Sequence, residues 1–116
     1  HRRPLRDNML YKFKSKATGD VIMLQPNGSR VLEIIGKDGT APQGIILPAD
    51  VPAAMKALQA AILQEGADQR AAAEQAAAQG KPAPKIEGIS LRQRAHSFID
   101  MLARCEKDGK EIVWGV

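Results

Sequence analysis

Few residues in this sequence combine a reactive type with a suggestive spacing, and His96 heads them. It falls one helical turn after Arg92 and one before Asp100, so the three share a helix face. An Asp100 carboxylate bonded to the imidazole would orient it as a general base. The same polar trio is what any solvated helix face displays, and no Ser or Cys nucleophile is fixed beside it, so the solvated face is the stronger reading. Cys105, the single cysteine, continues an apolar stripe and reads as a small core hydrophobe rather than a reactive thiol. One histidine outside the N-terminal segment and one cysteine fall short of a zinc ligand set. No catalytic residue, metal or cofactor is therefore expected.

Two further candidates concern binding. The segment Gly36 to Gly39 (GKDG) carries glycine and lysine but lacks the spacing of a Walker loop or a dinucleotide fingerprint, so a helix-ending loop explains it better. Lys12, Lys14 and Lys16 alternate with Tyr11 and Phe13, and with Arg92 and Arg94 they make the best polyanion surface available. Solvent-facing lysines are also a common guard against strand aggregation, and no aromatic residue is interleaved on their side to stack a base. Glu111 is placed to pair with one of them. Nucleic acid is thus an allowed partner but not the favoured one. Trp114 is either a core residue or an exposed anchor for a partner, and the scarcity of other aromatics favours the core.

The chain has the length of one domain: at 116 residues it can bury a core without metal or disulfide staples. With aromatics at 3%, that core must be built from aliphatic residues, which gives Tyr11, Phe13, Phe98 and Trp114 unusual weight. The lone cysteine excludes an internal disulfide, and no apolar run is long enough to span a bilayer; a cytoplasmic protein without membrane contact is expected. Residues 1–8 show no periodicity and precede Met9, which suggests a tag or mis-called start. Three arginines and one aspartate in that segment account for +2 of the formal +4, leaving +2 for the rest. So small a charge does not give the field of a dedicated nucleic-acid binder.

The elements that must position these residues follow from periodicity. Tyr11 to Ser15 alternates as a half-buried strand, and Asp20 to Leu24 follows after a short turn as its hairpin partner. Pro26 to Ile35 can be read as a hairpin or a helix; the helix is preferred, with Pro26 in its first turn and Gly36 as a left-handed cap. Ile45 to Leu47 is a short buried piece. Asp50 is placed to cap a helix over about 51–65 with apolar Val51, Met55, Leu58 and Ile62. Residues 67–89 turn Ala-rich and then Pro-rich with little to anchor them, either a solvated helical extension or a mobile arm or linker. Ser90 and Gln93 form a capping-box spacing for a helix over 91–107 with its stripe at Leu91, Ala95, Phe98, Leu102 and Cys105. Gly109 stops it, and Ile112 to Val116 closes the chain as a strand. The expected fold is α+β, one domain over 9–116, with a small antiparallel sheet from the two ends packed against about three helices.

Four separated motifs carry a resemblance: Met9 to Ser15 (MLYKFKS), Asp20 to Met23 leading to Ile34–Gly36, Ser90 to Ala95 (SLRQRA), and Ile112 to Val116 (IVWGV). In that order they resemble a small proteobacterial family catalogued as domain of unknown function 1840. The resemblance runs from Met9 to Val116. It implies a compact bacterial cytosolic domain with a variable Ala-rich middle, and it supplies no activity, cofactor or site residue. The leading expectation is a non-enzymatic interaction or accessory module that binds another protein, with a homodimer as the subsidiary one. A polyanion or RNA-binding domain is the alternative, and an enzyme acting through His96 and Asp100 the weakest.

Overall fold

The structure is a computed structural model and describes residues 10–85 and 90–115. The tag expected at residues 1–8 lies outside them, as does part of the expected arm at 86–89. Alternating residues build β1 (Leu10–Ser15), which buries Phe13 and half-buries Tyr11 while Lys12 stays exposed. A two-residue turn at Lys16 and Ala17 leads to β2 (Thr18–Leu24), two residues earlier than the sequence suggests. Neither turn residue takes a positive φ, as the turns that match strand twist require, and the register shifts between Phe13 and Ser15 instead.

Pro26 sits in the first turn of α1 (Gln25–Ile34), so the helical reading of this segment holds and the hairpin reading does not. Gly36, at φ 88°, lets Lys37 N–H reach Leu32 C=O at 2.8 Å and close the helix. The piece at Ile45 is not wholly buried as expected: β3 (Gly44–Ile46) buries Ile46 but leaves Ile45 and the following Leu47 about half exposed. Asp50 does not cap the next helix either. Its carboxylate accepts from Leu47 N–H at 3.3 Å and ties down a 3₁₀ turn over Pro48–Asp50.

The helix that follows, α2 (Val51–Ala78), continues through the Ala-rich segment. Twenty-eight residues make it about 42 Å long, and its buried residues, Val51, Ala54 and Leu58, all lie in the first third. Alanine propensity carries the remainder with almost no burial. Then α3 (Leu91–Asp108) buries the whole predicted stripe plus Met101. Ser90 Oγ accepts from Gln93 N–H, and Gln93 Oε1 accepts from Ser90 N–H, both at 3.2 Å, so the capping box forms. A second acceptor comes from α2, where Glu65 Oε1 takes the Leu91 N–H at 3.0 Å. Glu65→Ala should therefore lower the unfolding free energy by about 1 kcal/mol, and Glu65→Gln, which keeps an acceptor oxygen, by less; urea unfolding midpoints check both.

The last strand, β4 (Ile112–Trp114), completes an antiparallel sheet of order β2-β1-β4-β3. The two ends of the chain pair, with Phe13 opposite Trp114 and Lys14 opposite Val113. All three helices lie against one face of the sheet, and the core between the layers joins Phe13, Met23, Ile112 and Trp114 to Leu32, Leu58, Phe98 and Leu102. The fold is α+β, as the sequence predicts. No described helix is long and apolar enough to cross a membrane.

Candidate interaction surface

Because the helices cover one face, every second residue of each strand projects from the other. That open face carries Leu10, Lys12 and Lys14 from β1, Ile22 and Leu24 from β2, Glu111 and Val113 beside and in β4, and Ile45 and Leu47 in and after β3. Leu10 stands opposite Leu24, Lys12 opposite Ile22, and Val113 between Lys14 and Ile45. A half-solvated antiparallel sheet ordinarily shows polar residues on its outer side. Here five aliphatic side chains are strongly exposed: Leu10 53%, Ile22 53%, Leu24 60%, Ile45 44% and Leu47 49%. They form two corners, Leu10 with Ile22 and Leu24, and Ile45 with Val113 and Leu47, separated by the lysines. The run Val21 to Leu24 held the signal, since four consecutive apolar residues in a strand must show alternate members to opposite faces.

Lys12 and Lys14 lie on the open face of β1, while Lys16 falls in the turn that follows. Lys14 and Lys16 border a shallow depression with Glu111 and Val113. Lys12 lies at a cleft of ≈ 320 Å³ lined also by Leu10, Tyr11, Gln25, Thr40, Pro42 and Gly115, and among the described residues it is the only charged side chain there. Arg92 and Arg94 do not join the lysines. They are exposed on α3, in the helical layer on the far side of the sheet, so the five cations do not form one surface.

The remaining candidates resolve by their contacts. Asp100 pairs with Arg104 at 3.2 Å, both side chains about 60% exposed, rather than orienting His96, which is itself exposed. Trp114 is core: it is 2% exposed and meets Phe13 edge-on at 5.8 Å between ring centroids. Its indole Nε1 is the one buried side-chain polar atom without a partner among the described residues. Cys105 is fully buried, its thiol donating to Ser15 Oγ at 3.1 Å across the α3–β1 junction. In native buffer it should resist iodoacetamide and react only in denaturant, a difference that mass spectrometry reads directly.

The Gly36 to Gly39 loop is committed to structure. Gly39 C=O accepts from Tyr11 OH at 2.6 Å and Ser29 Oγ at 2.8 Å, pinning the loop to β1 and α1. Asp38 Oδ1 accepts from the Thr40 hydroxyl and N–H, and these bonds hold its carboxyl below the ordinary carboxylate value. Their small support for the fold is present above that value and fades as pH falls through the lowered one. Among the described residues no group of three or more His, Cys, Asp or Glu side chains could hold a metal ion.

No curated protein and no solved structure matches the chain. A family model does, over residues 9–114, a span that takes in the hairpin, all three helices and the closing strand. The chain belongs to the family described as Domain of unknown function (DUF1840).

Proposed function

We propose that this protein is a non-enzymatic interaction module of the bacterial cytoplasm and that the open face of its sheet is the docking surface. The observation that carries the reading is the density of exposed aliphatic side chains on that face, set around a row of lysines. Covering Leu10, Ile22, Leu24, Ile45 and Leu47 rewards a partner with apolar side chains, and Lys12, Lys14 and Lys16 select one that also presents carboxylates. The partner is thus another protein offering an acidic, aliphatic segment. A polyanion would use the lysines but leave the aliphatic corners wet, and among the described residues no aromatic ring stands on the open face to stack a base. The free buried thiol of Cys105 suits a reducing compartment.

The test is a titration of isotope-labelled protein, followed by NMR, with a peptide of alternating leucine and glutamate and separately with a mixed single-stranded oligonucleotide. The expected result is saturable shifts from the peptide at β1, β2 and β4, lost in Lys12→Glu. Oligonucleotide binding that persists near physiological salt, with a steep salt slope, favours the polyanion reading instead. Shifts at neither ligand, or peptide shifts confined to α3, overturn the proposal.

A further inference from the structure

We propose that β2 is an assembly edge whose occupant is β2 of a second copy, paired antiparallel across a two-fold axis at Ile22. The two edges of the sheet are built differently. β3 is three residues long, with Pro42 and Pro48 close on either side, and short strands flanked by proline are a standard way to stop further pairing. β2 is seven residues long and contains neither proline nor lysine; its irregular part is confined to its start, before Val21, and it has no strand on its outer side among the described residues. It therefore offers a row of backbone donors and acceptors to an incoming strand.

A second copy fits this edge because β2 complements itself. Residues directly opposite in an antiparallel pair share a face, so a symmetric pairing must keep inward residues opposite inward ones. With Ile22 on the axis, Ile22 meets Ile22 on the open face, and each Val21 meets the Met23 of the second copy on the inner face. The one ionised side chain of β2, Asp20, then stands opposite Leu24 of the second copy and not opposite its equivalent, so no like charges meet. Moving the axis to Val21 sets Ile22 against Asp20. Moving it to Met23 leaves only residues 22–24 paired. The Val21 ladder is longer but keeps no apolar pair on the open face; the Ile22 register alone gives apolar pairs on both faces, and it brings the two corners formed by Leu10, Ile22 and Leu24 together. The inference is independent of whether the open face has another partner.

Sedimentation equilibrium, combined with amide exchange at low and high protein concentration, tests it. The expected result is a mass that rises to twice that of the chain, with slowed exchange of β2 amides at high concentration only. Ile22→Lys replaces a half-exposed side chain and places two like charges face to face on the axis, so the dissociation constant should rise by about tenfold or more while the far-ultraviolet dichroism is unchanged. Ile45→Lys, on the opposite corner, should leave the dimer intact. A monomer up to about 1 mM, where association is worth only about 4 kcal/mol, overturns the proposal. So does a dimer abolished by Ile45→Lys but not by Ile22→Lys, or one whose β2 amides exchange at the same rate at both concentrations.

Discussion

Trp114→Ala is expected to cost about 3–5 kcal/mol of unfolding free energy, enough to lower the thermal midpoint by more than about 10 °C. The indole is 2% exposed, its ring meets Phe13 edge-on, and Phe13 in turn packs edge-on against Phe98 at 4.8 Å. In a core with so few aromatics, truncation leaves a cavity at the centre of the sheet that aliphatic neighbours cannot close. Trp114→Phe is the informative control. It preserves a ring against Phe13 and removes an indole N–H that no described residue accepts from, so its cost should stay below about 1.5 kcal/mol. Denaturant titrations of the three proteins give the comparison; a midpoint unmoved by the alanine change would remove Trp114 from the core.

The second large effect is expected at Gly44, which faces Trp114 across the β3–β4 pair. A Cβ at that position would overlap Cζ2 and lie 2.7 Å from Cη2 of the indole, far inside contact distance, so the ring or one of the strands must shift. Gly44→Ala should cost about 1–3 kcal/mol through this overlap. Both clashing atoms belong to the six-membered ring of the indole, whose position a phenyl group does not reproduce. In the background of Trp114→Phe the alanine should therefore be tolerated better, giving a coupling of about 1 kcal/mol or more in a double-mutant cycle. Strict additivity would mean that the glycine serves the β3 backbone and not the ring.

The helices were the legible part of the sequence, because each announces itself through features a few residues apart. Ser90 and Gln93 form their capping box from neighbours, and the stripe from Leu91 to Cys105 repeats at a spacing that only a helix can align. Where a residue had two local options, tertiary context chose between them. Asp50 could cap α2 or turn back to Leu47, and it turns back. The Ala-rich segment after Gly66 had helix propensity without an anchor, and the anchor proves to be the well-packed start of the same helix. The fourth strand was missed because β3 is three residues long and has meaning only beside β4. The candidate surface was half legible. Alternation put Lys12 and Lys14 on one side of β1, but not Lys16, which falls in the turn, and the separation of the lysines from Arg92 and Arg94 depends on which side of the sheet the helices occupy, a matter of layer packing that no local pattern encodes.

The pairing of Phe13 with Trp114 also bears on how the chain reaches this structure. The two residues are about 100 positions apart, and closing a loop of that size costs roughly 4 kcal/mol of chain entropy before any contact rewards it. Hairpin and helices draw on near neighbours and can form early, whereas the central β1–β4 ladder must wait for this long-range closure. Because Phe13 and Trp114 anchor the apolar layer to which every helix is packed, the early elements gain their full stability only at that last step. Folding should therefore be a single slow event limited by docking of β4, and on the ribosome it cannot finish until Trp114 has been synthesised and released from the exit tunnel.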